Sequence, residues 1–252
     1  MIESGPQSGV PSASPRRGDS PLPDAPTVPR TPGGAAPAAP DATVVAAYVA
    51  GYQPEDAPLL AARQRAREVG VAALDEAAGA ALRVLTALSG ARHVVELGTG
   101  AGVSTLWLLK GLRPDGVLTS IDSEPEHQRL ARQSLSEAGV HSGRVRLIAG
   151  RALEVLPRLS DSGYDLMLCD AAPAENLDYL PAALRLLRTG GIVVFARALV
   201  GGRVADASAR GAEVLAARDL ARAVREEPRL VPALLPVGAG LLVAVKQDAP
   251  AG

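Results

Sequence analysis

The sequence predicts an α/β fold built on a mostly parallel sheet covered by helices on both faces. Three observations predict it. Short branched apolar runs alternate with helical segments from residue 93 onward. A glycine-rich turn, "ELGTGAG" (Glu96 to Gly102), joins the first run to the segment after it. The chain closes on two apolar runs around a glycine turn, "LVPALLPVGAGLLVAVK". Continuous apolar strands separated by helices are buried on both faces and pair in parallel. Ligands of such sheets bind outside the carboxyl ends of the strands.

Three helices come first. Asp41 caps "ATVVAAYVAGY", a second helix spans about Glu55 to Val69, and a third, "ALDEAAGAALRVLTALSG", ends at Gly90. The alternation follows. Its strands are "HVVEL", "GVLTSID", "RVRLIAG", "YDLMLCD" and "GIVVFAR". The intervening helices are "VSTLWLLKGL", "EPEHQRLARQSLSEAG", the short "ALEVLPRL" and "LDYLPAALRLLR". The helix "GAEVLAARDLARAVREE" leads into the closing runs, which read as a hairpin.

Residues 1–40 hold ten of the chain's 21 prolines, with many Ser, Gly and Ala. Such a segment buries too little to offset its ordering entropy and reads as a disordered tail, leaving one domain over residues 41–252. A net charge of −1 supplies no field for nucleic acid or an anionic membrane. Aromatic residues at 2% leave little for base stacking. A single cysteine, Cys169, excludes an internal disulfide and a cysteine-rich zinc site. No apolar run reaches the roughly 18 residues of a membrane helix. Arg16-Arg17 precede no apolar segment, which argues against an export signal. The expectation is a cytoplasmic protein.

The glycine turn carries the chemistry. A dinucleotide fingerprint would place its third glycine at position 103, which is Val103, and a phosphate-binding loop needs a lysine that is missing. The form present is acid-x-G-x-G-x-G. Its glycines let backbone approach a ligand closely. Glu96 ends the first strand and suits an ammonium group. Asp122 ends the second and suits ribose hydroxyls. An ammonium and a ribose together describe S-adenosyl-L-methionine (SAM).

The blocks "VVELGTGAGVSTLWL", "LTSIDSEPEHQRLARQSLSEAG", "AGRALEVLPRL", "YDLMLCDAAP" and "YLPAALRLLRTGGIVVF" resemble, in order, those of class I SAM-dependent O-methyltransferases. The subgroup is that of catechol and caffeoyl-CoA methyltransferases and their small bacterial relatives. The resemblance spans about residues 56–246. It implies a Rossmann-like, seven-stranded sheet with an antiparallel last strand, and a homodimer. It also implies roles. Glu96 binds the methionine amino group, Gly98, Thr99 and Ser104 surround the methionyl chain, and Gly100 belongs to the same turn. Leu74 contacts the cofactor, Asp122 and Ser123 hold the ribose, and Ala152 meets the adenine edge. Asp170 sits near the transferable methyl group.

The departures from that family are specific. Metal-dependent members carry Asp-Ala-Asp-Lys after the fourth strand and Asp-Asn after the fifth. Here those stretches read Asp170-Ala171-Ala172-Pro173 and Ala196-Arg197. One carboxylate does not satisfy a hard divalent cation, so no catalytic magnesium is expected. Arg197 has two open readings. It orients an anionic acceptor oxygen in the metal's place, or it forms an ion pair with Asp170 that fills the vacated site.

His93 and Trp107 read as structural, His141 as a solvated loop residue, and Cys169 as buried and inert. His127 is a weak general-base candidate, while Tyr179 and Glu175 border the acceptor. The acceptor pocket is expected between the N-terminal helices and the 171–179 and 199–207 loops. The function expected is a metal-independent SAM O-methyltransferase acting on a hydroxyl or carboxylate of a small molecule. The alternative is a SAM-binding protein with lost or altered catalysis. A nicotinamide-dependent oxidoreductase is disfavoured by the intact Glu96–Asp122 pair.

Overall fold

The computed structural model describes residues 41–248, so the proline-rich segment expected to be a tail lies outside the described residues. Three helices open the fold: α1 (Ala42–Gly51), α2 (Ala57–Glu68) and α3 (Glu76–Leu88). Each is capped by an aspartate, Asp41, Asp56 or Asp75, whose carboxylate accepts a backbone N–H of the first turn. α2 starts later than its sequence suggests. Asp56 takes the cap, and Glu55, freed from the helix, turns inward. It pairs with Arg63 at 2.6 Å, with side-chain exposures of 1% and 9%, and accepts the Trp107 indole N–H at 3.1 Å.

The alternation then runs β1 (His93–Leu97), α4 (Val103–Gly111), β2 (Val117–Asp122), α5 (Pro125–Glu137), β3 (Val145–Ala149), α6 (Ala152–Val155), β4 (Tyr164–Cys169), α7 (Asn176–Leu186) and β5 (Leu187–Ala196). α8 (Ala212–Glu226), β6 (Leu230–Leu235) and β7 (Leu241–Lys246) complete the chain. The seven strands form one sheet in the order β3-β2-β1-β4-β5-β7-β6. β7 alone opposes its neighbours, pairing antiparallel with both β5 and β6. β5 begins earlier than the apolar pattern shows. Tyr164 pairs with Leu187 and Leu166 with Ile192, so the residues between loop out through Gly190 at φ +80°.

Strand side chains alternate between two cores. Val94, Leu118, Leu166, Leu168 and Val194 face α3 and α4, while Val95, Met167, Cys169, Val193 and Phe195 face α6, α7 and α8. The same alternation puts Glu96, Ser120, Asp122 and Asp170 on the α4 side, where the carboxyl ends of the strands open.

Candidate active site

The glycine turn is tight because it is stitched on both sides. The Gly98 N–H donates to the Ile121 carbonyl of β2 at 2.8 Å, and the Asp170 N–H donates to the Leu97 carbonyl at 2.9 Å. Gly98 sits at φ +91°, and a Cβ there would lie 2.5 Å from the Asp170 carbonyl oxygen. Both conditions demand glycine. Beside the turn opens a cavity of about 370 Å³, a size that suits a small-molecule ligand. Its wall includes Leu74, Gly98, Thr99, Gly100, Ser104, Asp122, Ser123, Ala152, Asp170 and Arg197, all singled out in the sequence.

Glu96, expected to bind the methionine amino group, is not among the residues of this wall and has no exposed surface. The Thr105 and Ser120 hydroxyls each donate to its Oε2 at 2.6 Å, while Oε1 has no hydrogen-bond partner among the described residues. Since Ser120 spends its only hydrogen on Glu96, the Thr99 hydroxyl must donate in their 2.6 Å contact. The Gln128 amide in turn donates to Thr99 at 3.2 Å. Burial pushes the Glu96 carboxyl up to about 7, although the Ser104, Ser120 and Thr105 hydroxyls pull it down. Ser104, which lowers this carboxyl, is itself on the cavity wall.

Asp122 is held by backbone. Gly100 N–H donates to Oδ2 and Glu124 N–H to Oδ1, each at 2.9 Å. His127 Nδ1 lies 3.2 Å from both oxygens. This partnership accounts for a histidine that the sequence offered only as a weak general base.

At the other end, Arg197 Nε donates to Asp170 Oδ1 at 2.8 Å, so the two strand ends meet as expected. The Asp170 side chain is 7% exposed and that of Arg197 is 30% exposed. Burial raises the Asp170 carboxyl, and the guanidinium opposes that shift. Arg197 also donates through Nη2 to the Ala72 carbonyl, tying the α2–α3 loop to the strand ends. Its backbone is left-handed, φ +59°, an uncommon state for a side chain of this size. Among the described residues no group of three or more His, Cys, Asp or Glu side chains is placed to hold a metal ion. Asp170 is already committed to Arg197, and Ala172, Pro173 and Ala196 offer no side-chain oxygen. The residues present do not fit a divalent cation.

Other expectations resolve by position. His93 begins β1 at the far end and is exposed, and Asp165 accepts its backbone N–H at 2.8 Å. His141 accepts the Gly143 N–H at 3.1 Å and caps a turn. Burial raises the Cys169 thiol, which keeps it inert. Trp107 is buried as expected, with its indole N–H anchored on Glu55. Among the described residues of the N-terminal region, the α2–α3 loop reaches this wall, and the 199–207 loop is not part of it. Tyr179 and Glu175 line the cavity, but Arg151 draws Glu175 toward the end where β3 leads into Ala152, 3.6 Å away.

Fold and cavity together define a class: a class I methyltransferase sheet with its ligand groove at the β1–β2–β4 carboxyl ends. A family profile described as O-methyltransferase matches residues 60–247. A protein of Mycolicibacterium vanbaalenii that carries an O-methyltransferase name is 57% identical over 192 residues, 76% of this chain and 85% of that one. A solved structure from Corynebacterium glutamicum superposes with a TM-score of 0.77 at 36% identity, covering 82% of this chain and 97% of that one. The O-methyltransferase TomG of Streptomyces achromogenes, solved in complex with SAM, gives 0.73 at 31% identity, over 81% and 96%. The chain belongs to the O-methyltransferase family.

Proposed function

We propose that this protein is a SAM-dependent O-methyltransferase that works without a divalent metal, on a hydroxyl or carboxylate of a small molecule. One observation carries the proposal: the ribose acid Asp122, the glycine turn, Ser104 and the Asp170–Arg197 pair line one cavity. The cofactor, when bound, supplies an electrophilic methyl group. Asp122, oriented by two backbone N–H groups and His127, receives the ribose hydroxyls. Gly98, Thr99 and Ser104 surround the amino-acid end, with the buried Glu96 carboxylate attracting the ammonium. Leu74 covers the site from the α2–α3 loop, which Arg197 holds in place.

Positioning of donor and acceptor supplies much of the acceleration in such a transfer. The Arg197 Nη1 makes no hydrogen bond among the described residues, so it is free to orient an acceptor oxygen that has shed its proton. The double tie of Arg197 to Asp170 and Ala72 favours a second reading, in which the guanidinium only braces the site. Turnover separates the two. With a library of phenolic and carboxylate acceptors in EDTA, methylated product forms, and Arg197→Ala loses at least about tenfold of the rate. Full turnover by Arg197→Ala leaves only the brace.

The same proposal extends to assembly and location. α1 buries none of its residues and exposes Val44, Val45, Tyr48 and Val49, a face that fits a homodimer. Light scattering at micromolar concentration tests it. No helix among the described residues is long and apolar enough to cross a membrane, and the lone buried thiol suits the cytoplasm.

A further inference from the structure

The sheet order assigns the cavity's two ends. With the methionyl part at the β1 turn and Asp170, and the ribose at Asp122 on β2, the nucleobase must extend toward the end of β3. Gly150, Arg151 and Ala152 form the wall there. Glu175 follows β4 in the chain, yet it belongs to this end. Val155 of α6 and Tyr179 and Leu180 of α7 belong to one buried cluster on the same sheet face, and Arg151 Nη2 stands 3.6 Å from Glu175 Oε1.

We propose that Glu175 selects the nucleobase: its Oε1 accepts the exocyclic N–H of adenine and so excludes purines that carry an oxygen there. The proposal rests on the SAM reading above. Tyr179 fixes the carboxylate by donating its hydroxyl to Oε2 at 2.5 Å. Burial and this carboxylate both hold the Tyr179 hydroxyl in its protonated form, so the direction of that bond is set. Oε1 makes no hydrogen bond among the described residues, Glu175 lines the cavity, and the Arg151 guanidinium offsets its charge. An ionised carboxylate can only accept. Adenine presents a donor amine at that edge, whereas a 6-oxo purine presents an acceptor, which the carboxylate repels.

The test compares S-adenosyl-L-homocysteine with S-inosyl-L-homocysteine, which carries oxygen in place of the amine, by calorimetry on the full chain. Wild type prefers the adenine form. Glu175→Gln offers both a carbonyl and an N–H₂, so the preference falls by about tenfold or more. Any discrimination at purine N1 by the Ala152 backbone is common to both proteins and cancels in the change of ratio. A ratio within about twofold of wild type in Glu175→Gln overturns the proposal. Glu175→Ala, with the same expected collapse of the ratio, serves if the glutamine variant does not fold. Wild type binding neither nucleoside contradicts the SAM reading itself, a distinct result.

Discussion

Arg197 Nε lies 2.8 Å from Asp170 Oδ1, joining the carboxyl ends of β5 and β4. The same guanidinium holds the Ala72 carbonyl, so one side chain locks two strand ends to the loop that covers the cavity. Removing it leaves a nearly buried carboxylate unpaired. Arg197→Ala therefore loses about 2 kcal/mol of stability, read as a lower urea midpoint. The double variant Asp170→Asn/Arg197→Ala recovers part of that loss, because the buried charge is gone. Equal stability of wild type and Arg197→Ala would show the pair to be energetically idle.

Glu96 gives a pH signature. Its carboxyl is raised from 4.5 to about 7 in the folded, cofactor-free protein. A raised folded value means that the group's contribution is complete below the unfolded pKa and is lost as pH rises through the folded one. The stability difference between wild type and Glu96→Gln should therefore drift by up to about 3 kcal/mol against wild type between pH 4.5 and pH 8. Denaturant unfolding at four pH values checks it. A flat difference would mean that Glu96 is ionised when the cavity is empty.

Gly98 tolerates no side chain. Its φ of +91° and the 2.5 Å approach of a Cβ to the Asp170 carbonyl both act against Gly98→Ala. The expected cost exceeds about 2 kcal/mol, with cofactor affinity lost as the turn shifts. A thermal melt and a SAM titration of the variant read the two effects separately.

The buried pair behind α4 is structural. Glu55→Ala leaves the Trp107 indole N–H without its acceptor and Arg63 with only the 3.4 Å contact to Glu76, at a cost of about 2 kcal/mol. Trp107 is the chain's only tryptophan, so its emission reports the site directly. A red shift in the folded variant accompanies water entry beside α2. Unchanged emission and stability would mean that the network carries no load.

Much of the fold is legible in the sequence because buried parallel strands read as unbroken branched runs. "HVVEL" is β1 to the residue. The start of β5 is not legible, since Arg188, Thr189 and two glycines carry no strand pattern and only pairing with Tyr164 extends it. The site is legible where the motif residue is itself the wall, as with Asp122, Ser104 and Asp170. Glu96 is not, because a strand-end acid can serve the cavity directly or support it from behind, and only its burial decides. The Ala72 carbonyl under Arg197 could not be found either, since a backbone acceptor leaves no mark on residue type. The approach of Arg151 to Glu175 could not be read from the sequence, because the two are 24 positions apart and only the fold brings them within 3.6 Å.

Calorimetric titration of the full chain with SAM in EDTA, repeated in magnesium, tests whether the site works without a divalent cation. Saturable binding is expected, with an affinity that magnesium changes by less than about twofold. Binding that appears only with magnesium, or no binding in either buffer, would contradict it.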